Sequence, residues 1–361
     1  MSRVYNFSAG PAVLPLEVLQ SAQENLVNYM GCGMSVMEMS HRGKDYEPIH
    51  QEAIATFKEL TGIGDDYEVL FIQGGGSMQF AMIPQNFLPK GAHADYANQG
   101  TWSGKAMKEA QMVGDVNVVA NCAKDIPTRM PREDEWKWSE GAAYAHICTN
   151  ETISGAQLKK IPTPCAGVPL FGDMSSDILS CARDYTKFDL FYAGAQKNLG
   201  PSGMAVVAVK KELVAKADVT NVPTMMRYAT HLDNNSLYNT PPTWAIYIFG
   251  EVMKWVKKMG KENLFRLNDE KAKKIYDVID GSGFYRGTAL KEFRSNMNVT
   301  WRLPTEELEA KFVKEAAAAG MKSLKGHRSV GGIRATIYNA FPMGGVDCLV
   351  DFMKEFEKKN G

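Results

Sequence analysis

The chain has 361 residues and a hydrophobic content of 45%, which is ordinary for a globular protein and long enough for two domains. Its 41 lysines and arginines balance its 41 aspartates and glutamates, so the net charge gives no indication of nucleic acid or an anionic membrane as partner. Any anion site must therefore be built locally.

The six cysteines are scattered, and no two of them have the CxxC spacing of zinc ribbons and thioredoxin-like sites. Such thiols indicate reduced, buried side chains, which favours a cytoplasmic protein without a bound metal. Glycine, proline and polar residues interrupt residues 1–19, so no signal-peptide core is predicted there. No uninterrupted apolar run reaches membrane-spanning length.

Two helices are predicted near the N-terminus, over residues 16–29 and 46–62, from the spacing of their apolar residues. Between them lies a short basic segment that contains His41 and Arg42. These side chains could bind an anion, but without further support the pattern favours a solvated loop.

Residues 67–72 are predicted to form a strand that leads directly into the glycine turn 74–76, with a helix from Met78. Strand, glycine turn and helix can cradle a phosphate, because backbone N–H groups approach its oxygens and the helix N-terminus is positive. The turn is not a Walker loop, and Gln79 breaks the dinucleotide fingerprint. A tight chain reversal without a ligand explains the turn about equally well.

Trp102 lies where a strand meets a helix, predicted over residues 104–111 with Thr101 or Ser103 as N-cap. A tryptophan at such a junction can stack on a flat ligand or belong to the core. Further strands are predicted from apolar runs over residues 92–97, 116–120, 143–149, 168–172, 188–192 and 204–209.

A single lysine, Lys197, stands at a tight corner between the last two of these strands, followed by Gly200, Pro201 and Gly203. Apolar surroundings lower the pKa of a lysine, and a neutral amine can form a Schiff base with an aldehyde. An ordinary surface lysine in a loop is the competing interpretation.

Polar or glycine-rich groups end five predicted strand segments, at residues 70–76, 94–102, 144–152, 168–173 and 188–197. Ligands collect at the carboxyl ends of strands in open α/β sheets, so these groups are expected to converge on one cleft. A lysine amine, a carboxylate, a flat aromatic ring, a hydroxyl and a phosphate cradle together meet the needs of pyridoxal phosphate.

Four motifs closely resemble those of the phosphoserine aminotransferases, a family of class V, fold type I pyridoxal-phosphate enzymes. They are NFSAGPA at 6–12, SHRGK at 40–44, AGAQKN at 193–198 and IRATIYN at 333–339. The resemblance runs from about residue 4 to near the C-terminus. It implies an α/β fold with a large domain on a mostly parallel seven-stranded sheet, a small α+β domain, and a homodimer with shared active sites.

The resemblance also implies roles for individual residues. It implies that Lys197 forms the Schiff base with the cofactor and that Asp173 pairs with the pyridine nitrogen. It also implies that Trp102 stacks on the cofactor ring. Gly76, Ser77 and Gln196 match residues that bind the cofactor phosphate, and Thr152 matches the residue that faces the phenolic oxygen. Asn239 and Thr240 match residues that reach the phosphate from the neighbouring subunit. Substrate-binding positions match Arg334 at the α-carboxylate and His41, Arg42, His327 and Arg328 at the distal phosphate or glutamate side chain.

The implied reaction is a reversible two-step transfer of an amino group between glutamate and 3-phosphohydroxypyruvate, which gives O-phosphoserine and 2-oxoglutarate in serine biosynthesis. A phosphorylated hydroxythreonine, used in pyridoxine biosynthesis, stays open as a second substrate. The chain departs from some relatives at Ser77, where they carry arginine, and at Ala9, where they carry serine. Without an arginine at position 77, the pocket for the distal anion of the substrate would bind more weakly, or Arg42 and Arg328 would bind that anion instead.

The large cofactor-binding domain is predicted over residues 16–258, and the small domain over residues 1–15 and 259–361. The C-terminal part alternates helices and strands, predicted at 241–259, 262–279, 296–301, 306–319, 333–338 and 345–358.

Four other functions were weighed against the resemblance. Cysteine desulfurases need a mobile nucleophilic cysteine, and residues 320–335 contain none. Other class V aminotransferases would lack the cluster of His41, Arg42, His327 and Arg328. A non-catalytic cofactor-binding protein would be expected to lose the lysine or the aspartate, and a dehydrogenase would need the dinucleotide fingerprint.

Overall fold

The structure is a computed structural model that describes residues 3–361, and this part of the chain contains fourteen strands and ten α-helices. The strands are β1 (Tyr5–Asn6), β2 (Tyr67–Gln73), β3 (His93–Asn98), β4 (Asp115–Asn121), β5 (Ala145–Cys148), β6 (Asn150–Glu151), β7 (Ala156–Gln157), β8 (Leu170–Asp173), β9 (Leu190–Gly194), β10 (Met204–Lys210), β11 (Arg286–Gly287), β12 (Asn298–Arg302), β13 (Met321–Lys322) and β14 (Ile333–Thr336). The helices are α1 (Leu16–Glu24), α2 (Glu47–Thr61), α3 (Gly75–Phe87), α4 (Thr101–Gln111), α5 (Lys211–Ala215), α6 (Tyr228–Asp233), α7 (Thr243–Met259), α8 (Lys261–Asp280), α9 (Glu306–Ala318) and α10 (Met343–Asn360).

Seven strands form the main sheet in the order β2-β10-β9-β8-β5-β3-β4. Strand β10 runs antiparallel to both of its neighbours, and the other pairs are parallel, so the predicted mostly parallel α/β sheet is confirmed. Six of the seven residues of β10 are buried, because helices cover both faces of the sheet at its centre.

Aromatic side chains fill the core on both faces of the sheet. On one face, the Phe249 ring of α7 lies 5.7 Å from Phe57 of α2 and 5.3 Å from Phe71 of β2. On the other face, the Phe87 ring of α3 lies 5.3 Å from Phe171 of β8. These two layers hold the strands rigidly, so side chains at the strand ends have fixed positions.

A separate hydrophobic cluster lies in the C-terminal part, around the sheet β11-β12-β14 and helices α8, α9 and α10. The N-terminal segment joins it, because Tyr5 of β1 pairs in parallel with Met321 of β13. The Phe7 ring lies 4.4 Å from Phe341 in the same cluster. Within residues 3–361, no helix is long and apolar enough to cross a membrane.

Two helix ends differ from the sequence-based prediction. Helix α3 begins at Gly75, not at Met78, because Gly74 has φ +95° and itself forms the N-cap, so the glycine turn opens the helix. Helix α1 ends earlier than predicted, since the Asn25 side chain donates to the Ser21 carbonyl at 2.9 Å just beyond its last turn.

The start of α4 also differs from the prediction, because Thr101 is already helical and the N-cap is Gly100. Neither Thr101 nor Ser103 caps the helix. The Ser103 hydroxyl lies inside the first turn and accepts hydrogen bonds from the backbone N–H groups of Gln99 and Gly100, both at 2.9 Å.

Candidate active site

A cavity of about 300 Å³ lies at the carboxyl ends of the main-sheet strands. All five predicted strand-end groups contribute to its wall, as the sequence predicted. The residues that line it include Gly74, Gly75, Gly76 and Ser77 after β2, Trp102 after β3, Thr152 after β5, Asp173 at the end of β8, and Gln196 and Lys197 after β9. The N-terminal and C-terminal segments close it with Ala9, Gly10, His327 and Arg334.

Lys197 projects into this cavity from the turn between β9 and β10, and it is only 8% exposed. Its Nζ donates a hydrogen bond to Thr152 Oγ1 at 2.9 Å and lies 5.5 Å from the centre of the Trp102 ring. Burial lowers the pKa of Lys197, and the charge of Asp173 only partly opposes this. The amine is thus held in place and disposed to lose its proton.

Asp173 ends β8 and lies on the same wall, 5% exposed. One carboxylate oxygen accepts a hydrogen bond from the backbone N–H of Ser175 at 2.9 Å. Burial raises the pKa of Asp173, while this hydrogen bond and the positive charge of Lys197 oppose the rise. A buried carboxylate of this kind is suited to a cationic partner in the cavity.

The glycine turn presents the N-terminus of α3 to the cavity. The first N–H groups of a helix have no intrahelical acceptor, so those at Gly75, Gly76 and Ser77 are available to an anion. A Cβ at Gly76 would lie 3.2 Å from the Ser175 hydroxyl, which shows how closely the chain approaches the opposite wall. The buried Gln196 side-chain oxygen in the same wall has no hydrogen-bond partner.

These residues fit pyridoxal phosphate. The cavity combines a primary amine, a buried carboxylate, a helix N-terminus for a phosphate and the face of an indole ring. Trp102 Nε1 and Gln196 Oε1 are buried polar atoms without a partner, and such atoms indicate a group that completes their hydrogen bonds.

Arg334 and His327 lie on the side of the cavity formed by the C-terminal part. Arg334 is held by a hydrogen bond from its Nη1 to the Thr152 carbonyl at 3.3 Å, and burial lowers its pKa. Burial also lowers the pKa of His327, with a further contribution from nearby Arg334. Arg328 is exposed and does not line the cavity.

Four sequence-predicted site residues, namely His41, Arg42, Asn239 and Thr240, do not line the cavity of their own chain. Arg42 Nη2 instead donates to the backbone carbonyls of residues 237 and 238, at 3.4 and 3.3 Å. The Thr240 carbonyl accepts a hydrogen bond from Gln73 Nε2 at 3.1 Å, beside the glycine turn. The four residues therefore form a surface next to the cavity wall.

Sequence reasoning missed several further lining residues, among them Cys148, Asn150, Ser175 and Ser176. Asn150 Nδ2 donates to Ser176 Oγ at 2.7 Å, which joins the ends of two strands. Burial raises the pKa of Cys148 well above its usual value, so this residue stays a thiol and is a poor nucleophile. Their place in the same polar strand-end groups as Thr152 and Asp173 was the signal available in the sequence.

The family model of aminotransferase class-V matches residues 4–349. The chain is 53% identical to a phosphoserine aminotransferase of Niallia circulans, over 99% of both chains. It is 50% identical to a phosphoserine aminotransferase of Nitrosomonas europaea, over the full length of both.

Solved structures give the same result. The phosphoserine aminotransferase from Bacillus circulans subsp. alkalophilus has a TM-score of 0.95 at 52% identity, with 99% of both chains covered. The pyridoxal-phosphate-bound phosphoserine aminotransferase from Trichomonas vaginalis has a TM-score of 0.93 at 40% identity and covers 98% of this chain and all of its own.

Proposed function

The chain belongs to the phosphoserine aminotransferases of aminotransferase class V, and from this premise we propose how its own residues use pyridoxal phosphate. The reaction moves an amino group between glutamate and 3-phosphohydroxypyruvate and gives O-phosphoserine and 2-oxoglutarate. The observation that carries the proposal is the meeting of Lys197, Asp173, Trp102 and the glycine turn in one buried cavity.

When bound, pyridoxal phosphate supplies an aldehyde that joins amines covalently and a ring that takes up electrons from the substrate α-carbon. Lys197 would hold the aldehyde through Nζ, and Asp173 would keep a proton at the ring nitrogen. Trp102 would pack on the ring, and the Thr152 hydroxyl would serve its phenolic oxygen. Gly76, Ser77 and Gln196 hold the phosphate, with the N-terminus of α3 supplying backbone donors.

Lys197 is also the group that moves protons. With pyridoxal phosphate and substrate bound, the Lys197 amine would be the group that takes up and returns the proton of the substrate α-carbon. The lowered pKa of Lys197 keeps this amine available as a base. The Thr152 hydroxyl, 2.9 Å away, limits how far the amine can swing from the cavity.

Substrate anions are bound by cations on the C-terminal side of the cavity. Arg334 grips the α-carboxylate through its planar guanidinium, which can make two parallel hydrogen bonds to one carboxylate. Its hydrogen bond to the Thr152 carbonyl aims it at the same region as Lys197. His327 and Arg328 take the distal phosphate or the glutamate side chain.

The protein acts as a homodimer in which each subunit completes the other's site. In support of this, several apolar side chains between positions 16 and 37 are 40% to 80% exposed. They leave a large apolar surface uncovered, made by Leu16, Leu26, Val27, Met30 and Met37. Asn239 and Thr240 reach the phosphate site of the neighbouring subunit from the adjoining surface. Because Arg42 bonds to carbonyls of the segment just before them, His41 and Arg42 act across the same interface.

The chain divides into a large domain, residues 16–258, and a small domain, residues 1–15 and 259–361. The separate hydrophobic cluster around α8, α9 and α10 supports this division. The six cysteines are free thiols, which supports a cytoplasmic location.

The test compares amino acceptors with glutamate as donor. We expect 3-phosphohydroxypyruvate to be used far better than unphosphorylated hydroxypyruvate, since only the former engages the distal cations. Equal use of both would contradict the proposed phosphate pocket. The phosphorylated hydroxythreonine product, tested in the reverse direction with 2-oxoglutarate, would show whether the same pocket serves pyridoxine biosynthesis.

A further inference from the structure

We propose that Glu151 is a positioning residue for the cofactor ring, acting through the backbone of Trp102 at the start of α4. The inference rests on the proposed function, since it concerns the residue that stacks on the ring. Glu151 does not line the cavity and is fully buried behind it.

The Glu151 carboxylate takes three hydrogen bonds from the first turn of α4. One oxygen accepts from the backbone N–H of Trp102 at 3.1 Å, and the other accepts from the Ser103 N–H at 2.9 Å and the Ser103 hydroxyl at 2.8 Å. The cap that α4 lacks in its own sequence is thus supplied from the end of β6, on a different element.

The close approach of Glu151 also explains the glycine before the helix. A Cβ at Gly100 would lie 2.6 Å from Glu151 Cδ, a separation that no real side chain tolerates. The carboxylate therefore occupies the space that a side chain at position 100 would fill. This packing fixes the start of α4 against β6, next to the residue that carries the indole ring.

Glu151 also precedes Thr152, whose hydroxyl accepts the hydrogen bond from Lys197 at 2.9 Å. The two adjacent residues thus hold two sides of the cavity, Glu151 the ring-stacking side and Thr152 the amine side. Trp102 Nε1 makes no hydrogen bond, so the hydrogen bonds that orient Trp102 are made by its backbone. Loss of the Glu151 carboxylate should let the indole ring of Trp102 move, and it should thereby weaken cofactor binding.

The experiment is a double-mutant cycle between Glu151→Gln and Trp102→Ala. The glutamine amide has the same shape, but it turns an NH₂ group towards one of the N–H donors and so loses hydrogen bonds. We expect Glu151→Gln to raise the dissociation constant for pyridoxal phosphate by about tenfold and to change the visible circular dichroism of the bound cofactor. In the Trp102→Ala background it should change the affinity less than about twofold.

If Glu151 only stabilised the N-terminal end of α4, its effect would not depend on the indole ring. The backbone N–H of residue 102 is still present in Trp102→Ala, so the same hydrogen bond would be lost in both backgrounds. Glu151→Gln would then weaken cofactor affinity equally in both backgrounds, or lower only the unfolding temperature, and either result would overturn the proposal. Asp95→Asn is the matched control: Asp95 is fully buried, accepts from the Ser139 N–H at 2.8 Å and the Ser139 hydroxyl at 2.7 Å, and does not line the cavity. It should reduce stability and leave cofactor affinity unchanged.

The parent holoenzyme separates failure of this inference from failure of the proposed function. If the parent binds pyridoxal phosphate and uses 3-phosphohydroxypyruvate, while Glu151→Gln matches it in affinity and dichroism, the positioning role alone is wrong. If the parent does not bind the cofactor, the proposed roles of the cavity residues fail as well.

Discussion

At the scale of single residues, the cavity depends on side chains whose pKa values are shifted by burial. Lys197 and Asp173 were predictable, because each follows an apolar strand directly and belongs to a recognisable motif. Glu151 was not singled out, although it lies between Asn150 and Thr152. Its role depends on contacts with Trp102 and Ser103, and no sequence pattern reports a contact across forty-eight positions.

Replacing Lys197 by alanine should abolish proton transfer while leaving the cavity intact. We expect turnover to fall by at least about a thousandfold, because a positioned base contributes that order of rate acceleration and the covalent anchor is lost as well. The measurement is steady-state turnover with glutamate and 3-phosphohydroxypyruvate. Borohydride reduction of the parent should label Lys197, and labelling of another lysine would contradict the assignment.

His50 should make the folded protein sensitive to acid. Its Nε2 lies 3.0 Å from the Asn235 carbonyl, so Nε2 carries the proton, and Nδ1 faces the Tyr46 hydroxyl at 3.4 Å. Burial lowers the pKa of His50 from 6.5 to about 4. The folded state therefore binds fewer protons than the unfolded state between these values, and stability falls as the pH drops through them.

We expect the free energy of unfolding of the parent to fall by about 3 kcal/mol relative to His50→Gln between neutral pH and pH 4, because the variant has no titrating group there. Urea unfolding of both proteins across this range provides the comparison. A constant difference between them would show that His50 titrates normally in the folded protein.

At the scale of elements, helix α8 illustrates how a buried lysine holds a loop. Lys271 is 2% exposed, and its Nζ lies within hydrogen-bonding distance of four carbonyl oxygens, those of Tyr338 at 2.8 Å, Ile337 and Phe341 at 3.2 Å, and Asn339 at 3.4 Å. The segment it holds follows β14, the strand that carries Arg334. The N–H of Asn339 in turn donates to Asn198 Oδ1 at 3.0 Å, directly beside Lys197.

Lys271→Met should destabilise the protein by roughly 2–4 kcal/mol, because it leaves several buried carbonyls without a donor. Lys273→Met on the same helix is the control, since Lys273 is 73% exposed and pairs only with Asp277. We expect this control to change the free energy of unfolding by less than about 0.5 kcal/mol. Equal losses in the two variants would mean that the carbonyl contacts of Lys271 contribute nothing specific.

The sequence predicted the existence and type of most elements but not all of their ends. Long apolar patterns located α2, α7, β2 and β10 closely, since the core faces impose those patterns. The predicted starts of α3 and α4 were wrong, because Gly74 caps α3 through its backbone conformation and the Glu151 carboxylate of β6 caps α4 beside Gly100. Such caps depend on tertiary contacts, which local sequence does not encode.

At the scale of the whole molecule, the proposed dimer makes each site depend on two chains. The cavity lacks His41, Arg42, Asn239 and Thr240 from its own chain, yet these residues share a surface beside it. The resemblance predicts all four as site residues and assigns Asn239 and Thr240 to the neighbouring subunit, but it does not say which subunit His41 and Arg42 serve. That distinction depends on how two chains assemble, because the missing side chains of each site would come from the other subunit.

Mixing two inactive variants should restore activity if Arg42 acts across the interface. A hybrid of Lys197→Ala with Arg42→Ala then contains one intact site, formed by the lysine of one chain and the arginine of the other. Random exchange of subunits should recover roughly a quarter of parental turnover, since half the dimers are hybrids with one working site. If Arg42 acts within its own chain, the mixture stays as inactive as its components. Sedimentation of the mixture verifies that dimers have formed.

The antiparallel strand β10 has a consequence for how the molecule forms. Only nine residues separate β9 from β10, the shortest connection between consecutive strands of the main sheet, whereas the parallel pairs need longer crossovers. Contacts between near neighbours in the chain close quickly, at little entropic cost. The hairpin that bears Lys197 should therefore gain amide protection early during refolding, before β3 and β4 dock, so this turn would be formed while the rest of the sheet is still assembling.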